Sequence, residues 1–193
     1  MNRLGSSRAR AATIAVAAIA SMMILFSSTL VTAGASRDGA GIAAVRAATS
    51  RYHDVNQALA DGYVPVSPCI EAPGLGVMGI HYLNPALASD LTIDARAPEI
   101  LLYVPSDSGL RLVGVEYWSI ALANTADGPA PWFGPTAPAG GFVNPAPVVL
   151  GVQFEGPMEG HDPGMPWHYD RHLWIWQANT AGIFEQFNPK VSC

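Results

Sequence analysis

Charge is scarce in this chain: Asp, Glu, Lys and Arg together make up 13% of its 193 residues, against a hydrophobic share of 50%. That composition excludes a disordered, solvating polymer and leaves enough apolar material for the core of one domain. Cysteine is scarcer still. There are two, Cys69 and Cys193, and no CxxC pair, which excludes the thiolate knuckles of structural zinc sites. Several ordered catalytic signatures are missing as well. No GxSxG elbow presents a serine nucleophile, and no GxxxxGK loop cradles phosphate. HExxH is absent, because the residue after His168 is Tyr169, and so is the paired HxH of a cupin. No unit of roughly 20–50 residues repeats along the chain.

Acid is absent from the first 35 residues, where Arg3, Arg8 and Arg10 precede an uncharged run from Ala11 to Val31 rich in Ala, Ile, Met and Leu. A basic start, an apolar run and the small residues Ala33-Gly34-Ala35 make a secretory signal peptide, with cleavage expected after Ala35. The other reading is an uncleaved anchor, since a run of about 20 residues can span a bilayer. The small residues at its end favour cleavage. No Cys follows the run, so lipid attachment there is not expected. Both readings place residues 36–193, as a single globular domain, outside the cytoplasmic membrane. The protein is then secreted or held in the cell envelope, touching a membrane only through an uncleaved leader. Loss of the three arginines takes the formal net charge from −5 to −8. That argues against nucleic acid and anionic lipid as partners and leaves cations, sugars, small neutral molecules or proteins.

An even cysteine count in an oxidising compartment predicts a Cys69–Cys193 disulfide. It would close a loop of more than 100 residues, worth roughly 4–5 kcal/mol in the chain-entropy picture. Two free thiols are the alternative.

The pattern of apolar residues predicts an α+β domain. After a polar linker at Ser36–Gly41, Ile42, Val45, Ala48, Tyr52, Val55 and Leu59 recur at helical spacing, which predicts one amphipathic helix from Ile42 to Ala60 ending at Asp61-Gly62. His53 lies beside that stripe, at the surface. Strands are expected at 77–83, 99–105, 110–120, 148–154 and 167–176, forming a mostly antiparallel, curved, half-open barrel-like sheet with the helix packed on it. On the first, Met78, Ile80 and Tyr82 point one way and Gly79 and His81 the other. The second and third form a hairpin across Ser106-Asp107-Ser108-Gly109. On its second strand Leu110, Leu112, Gly114, Glu116 and Trp118 share a face. The stretch 121–147 carries six prolines and four glycines and reads as a surface loop without ordinary strand or helix, or as a lid packed by Trp132 and Phe133.

The chemistry is concentrated in the last third. In WHYDRHLWIW, read as a strand, His168, Asp170, His172, Trp174 and Trp176 line one face, while Trp167, Tyr169, Arg171, Leu173 and Ile175 line the other. Read as a helix, His168 and His172 still share a face. Two imidazoles on one side are a partial ligand set for zinc or copper. Glu116 sits on an apolar face and needs a partner, because burying a lone carboxylate costs several kcal/mol. His81 points away from its strand's apolar side. The candidate metal site is therefore His81, Glu116, His168 and His172, with a position left for water or a small ligand, and His161 on the loop just ahead. Against it stands the plainer reading that each histidine is a hydrogen-bonded core residue.

Other chemistries use the same stretch. Trp118, Trp167, Trp174 and Trp176 could form an aromatic cleft for a small ligand or sugar, without metal. Glu116 and Asp170 could act as an acid–base pair. Glu155, Glu159 and Asp162 match no calcium loop and read as a solvated acidic turn.

Tyr52-His53-Asp54, Ala60-Asp61-Gly62-Tyr63, Met78-Gly79-Ile80-His81-Tyr82, Glu116-Tyr117-Trp118, His168-Tyr169-Asp170 with His172 and Trp174, and the ending Phe187-Asn188-Pro189 with Val191-Ser192-Cys193 form a pattern over nearly all of the chain after the leader. In that pattern the chain resembles an uncharacterised family of exported bacterial proteins. The resemblance implies export and brings no activity, cofactor or site residue with it.

Overall fold

A computed structural model describes residues 41–193. The signal-peptide reading and the linker before Gly41 lie outside the described residues. Residues 41–49 are α-helical (α1), and Ser50–His53 winds more tightly as a 3₁₀ turn. The single helix expected to Ala60 is broken at Asp54. This residue is extended, and its side chain accepts a hydrogen bond from Asn56 N, capping a second helix, α2, Val55–Ala60. An aspartate at that position satisfies an otherwise orphaned donor and is worth about 1 kcal/mol. The apolar stripe holds only as far as the break: Val45 and Tyr52 are buried, but in α2 Ala58 is the buried residue and Leu59, expected to face in, is 46% exposed. The Tyr52 carbonyl accepts a hydrogen bond from Tyr103 Oη at 2.6 Å.

The fold is mixed and mostly sheet. In chain order its further elements are β1 (Val64–Pro65), β2 (Ile70–Ala72), β3 (Gly76–Leu83), a helical turn α3 (Pro85–Ala88), β4 (Ile100–Ser106), β5 (Gly109–Ile120), β6 (Leu122–Thr125), β7 (Gly128–Pro131), β8 (Val148–Val149), β9 (Val152–Gln153), β10 (Glu155–Met158) and β11 (His168–Leu173). The main sheet runs β1-β3-β4-β5-β11-β10, with β2 also paired to β3, and every pairing in it is antiparallel. It stays open: β1 and β10 remain its ends and no barrel closes.

Alternation along the strands feeds two apolar clusters. Leu101, Tyr103, Val115, Tyr117, Tyr169 and Leu173 belong to one; Ile100, Leu102, Val104, Trp118 and Trp174 belong to the other. Two bulges change the faces expected from simple alternation. Between β4 and β5, Leu102 pairs with Gly114 and Tyr103 with Leu112, so Val113 is the extra residue. Leu110 and Leu112 therefore pack with the Tyr117 cluster, while Glu116 and Trp118 keep the opposite face. Between β2 and β3, Ile70 pairs with Gly79 and Glu71 with Val77, which leaves Met78 unpaired. Gly79 sits at φ 105, and a Cβ there would come within 2.6 Å of the Tyr103 carbonyl oxygen. Met78 consequently shares the side of His81, not that of Ile80 and Tyr82.

The region 148–154 is not one strand. β8 and β9 pair with each other around Leu150 and Gly151, at φ 52 and 79. The strand that joins the sheet here is β10, in a stretch that reads as turn chemistry. Its Pro157 is tolerated because β10 is an edge. β11 ends at Leu173, earlier than expected, and Trp174 N then bonds Ile183 O at 2.8 Å. The turn between β4 and β5 is also tighter than expected, since Ser106 pairs with Gly109.

Within 121–147, β6 and β7 form a short hairpin where no strand was expected. The rest is fastened beside β11: Trp167 N donates to Trp132 O at 2.8 Å and Trp167 Nε1 to Gly134 O at 2.8 Å. The Cys69–Cys193 disulfide is present, spanning a sequence separation of 124. The preceding tail is also tied to β3, where Val77 and Asn188 exchange backbone hydrogen bonds of 3.1 and 2.9 Å. A disulfide is compatible with an extracytoplasmic protein. Among the described residues no helix is long and apolar enough to cross a membrane.

Candidate metal centre

Three strands bring the site together. His172 on β11 and Glu116 on β5 are direct cross-strand partners. His81 on β3 is opposite Leu102 on β4, which is itself opposite Gly114 on β5, so His81 reaches Glu116 diagonally across β4. Gly114 leaves the sheet surface low at that point: a Cβ there would be 2.9 Å from Leu173 O.

His81 Nε2 lies 3.2 Å from Glu116 Oε2, and His172 Nε2 lies 3.6 Å from the same oxygen. One donor atom from each residue lies within 4.8 Å of the others. Ligands held at about 2.1 Å around a tetrahedral ion are roughly 3.4 Å apart, so both nitrogen–oxygen separations match a shared ion. His81, Glu116 and His172 could therefore hold a metal ion.

The group is largely buried and short of hydrogen bonds. Glu116 and His172 are 4% and 1% exposed, yet Glu116 Oε2 and both His172 ring nitrogens lack a hydrogen-bond partner. Buried polar atoms are rarely left so. Neighbouring Glu99 is equally buried, but its Oε2 accepts from Trp118 N at 3.1 Å. Burial pushes the Glu116 carboxyl up; His172 and His81, only when they carry a proton, outweigh this and pull it well below the usual carboxylate range. Burial also pushes His172 down to about 4, so at neutral pH that ring carries no charge. An ionised carboxylate beside a neutral imidazole lacks a full counter-charge, which a divalent cation would supply.

Ser67 orients His81. Its Oγ donates to Pro68 O at 2.8 Å, accepts from His81 N at 3.0 Å and lies 2.9 Å from His81 Nδ1. With the hydroxyl hydrogen directed to Pro68 O, Nδ1 is the ring nitrogen that meets Ser67, and Nε2 is the one turned to Glu116. Fixing the distal nitrogen in this way is how outer groups orient a metal-ligating imidazole. Nothing in the sequence marks Ser67 for this role, since it stands in an irregular Pro-rich run.

His168, the remaining expected ligand, is on the same strand face but not in the three-residue group. Its Nδ1 donates to Pro166 O at 3.1 Å, its ring stacks on Trp118 at 5.7 Å, and its Nε2 is 3.9 Å from Asp170 Oδ2. Burial lowers its pKa. Asp170, between the two histidines, is pushed up to about 8 by burial and then by Glu116, and its Oδ1 has no partner.

These groups line a cavity of about 770 Å³ whose wall also includes Ile70, Leu83, Trp118 and Phe187, with His161 and Asp162 on the loop after β10. The volume is that of small-molecule sites. The four tryptophans do not form the aromatic cleft. Trp118 lines the cavity, Trp174 is buried at 2% exposure, and Trp167 and Trp176 pack against the other cluster. Glu155 is on β10, paired with Arg171 at 2.8 Å, not in a solvated loop. His53 is exposed and lies against Trp176.

No family model, curated protein or solved structure matches the chain.

Proposed function

We propose that this is an exported metal-binding protein in which His81, His172 and Glu116 hold one divalent ion, zinc or copper, and leave a coordination position open toward the cavity. The observation that carries the reading is the shared carboxylate oxygen, 3.2 and 3.6 Å from two imidazole nitrogens and without a hydrogen bond of its own. Two nitrogens and one oxygen suit a borderline divalent cation, and three protein ligands with an open position are the arrangement of catalytic rather than structural zinc. A metal at that point would bind water or a small, largely apolar molecule bearing one polar group. His168 and Asp170, next along β11, would be the proton-carrying groups beside it.

Elemental analysis of protein purified without a histidine tag tests this. Near one equivalent of metal, lost in His81→Ala plus His172→Ala, supports it. Absence of metal in wild-type protein supplied with zinc and copper, with the fold intact, refutes it and favours a cavity for an uncharged organic ligand.

A further inference from the structure

The cavity in front of the three ligands collects the soft donors of the chain. The described residues contain three methionines, Met78, Met158 and Met165, and all three line it. Four of the five histidines line it too, His53 being the exception. The methionines arrive by separate devices. The β3 bulge turns Met78 to the His81 side. Met158 is the cross-strand neighbour of His168 on β10. Met165 is carried by a turn closed by its amide on Asp162 O at 3.0 Å.

Methionine is also a flexible space-filler. As filler it would be scattered through the core, but no methionine is among the fully packed residues of either cluster, and only Met165 touches one, at its margin. The apolar interior is built from Val, Leu, Ile and aromatic residues instead. Thioethers and imidazoles that line the same cavity offer a soft ligand set, which selects a monovalent copper ion over zinc. Both cysteines are consumed in the disulfide. In an oxidising compartment the thioether is the sulfur donor that remains.

We propose that this cavity binds Cu(I) through Met78, Met158 and Met165 together with imidazole. This rests on the reading of the cavity as a cation site and assigns copper to it: the His81, His172 and Glu116 group takes the divalent ion and the thioethers the monovalent one. No redox step is part of the proposal.

The test is anaerobic competition for Cu(I) against a chromophoric chelator, with Ag(I) as a redox-inert second probe. It compares wild type with Met78→Leu/Met158→Leu/Met165→Leu, whose side chains are close to the originals in volume. Wild type is expected to take one Cu(I) or Ag(I). The triple variant is expected to lose most of its affinity for both, since the soft donors are gone, while loading Zn(II) as wild type does. Zn(II) binding without Cu(I) binding in wild type, or Cu(I) affinity unchanged in the variant, overturns this inference alone. Cu(I) binding lost in the variant, with no divalent ion bound by either protein, supports it and refutes the His81, His172 and Glu116 site. No ion of either kind refutes both. Should the triple variant not fold, the single Met→Leu variants must each lower Ag(I) affinity; three unchanged affinities overturn the inference.

Discussion

Glu116 Oε2 and His172 Nε2 face each other across the β5–β11 pairing at 3.6 Å, both buried and neither hydrogen-bonded. A protein built only for stability would replace such a pair with apolar side chains, at no loss and often at a gain of about 1–4 kcal/mol. The strained electrostatics make sense if an ion joins them.

Substitution of the carboxylate separates stability from binding. Glu116→Gln removes the buried charge and keeps the shape. In chelator, the variant is expected to melt close to the wild-type temperature, because Gln keeps the shape and the neutral His172 ring is left with no unpaired charge. With saturating zinc, wild type should gain about 4 kcal/mol at a thousandfold excess over Kd, and the variant should gain almost none. Thermal melts with and without metal decide it.

The pH dependence of metal-free stability follows from His172. Burial holds its pKa near 4 in the folded protein, against about 6.5 in the unfolded chain. Between those values the unfolded state binds more protons, so stability falls as pH drops from about 6.5 to 4, by roughly 3 kcal/mol from this residue. Asp170 acts in the opposite sense. Its pKa is raised to about 8, so its contribution is present below the unfolded value and declines as pH rises toward 8. Urea midpoints for wild type and His172→Gln, measured from pH 4 to 7, should converge at the neutral end and diverge on acidification, with the variant less acid-sensitive.

Ser67→Ala should leave the fold intact and lower zinc affinity about 10- to 100-fold, the usual effect of removing a group that orients a ligand. Competition with a fluorescent zinc chelator measures it. An unchanged affinity would mean that Ser67 does not orient His81.

Opening the disulfide should weaken both stability and the site. Cys69→Ala/Cys193→Ala releases a constraint over a separation of 124 residues, worth roughly 4–5 kcal/mol. It also frees the segment that holds Ser67, two residues before Cys69, against His81. Chemical denaturation should show the stability loss, and metal titration of the folded fraction a weaker site.

Much of this arrangement was legible in the amino-acid pattern, and the exceptions have physical causes. Strict alternation in WHYDRHL put His168, Asp170 and His172 on one face, as β11 has them, because a strand flanked on both sides by partners follows the period of two. Glu116 stood out as a carboxylate in an apolar run, and the two cysteines could pair only with each other within the chain. The faces of Leu110, Leu112 and Met78 were misread because a bulge depends on the partner strand, not on local pattern. β10 was hidden by Gly156 and Pro157, which mark turns except at a sheet edge. His168 was grouped with the ligands because alternation gives a face, not a distance: it lies four residues along the strand from His172 and is held by Pro166 O instead. Ser67 had no periodic signal at all.

The most direct test is a crystal of the zinc- or copper-loaded protein measured at the metal absorption edge. An anomalous peak within about 2.1 Å of His81 Nε2, His172 Nε2 and Glu116 Oε2 is the predicted result. A fully loaded crystal with its only peak elsewhere, or with these three side chains bonded to one another and no ion between them, would contradict the account.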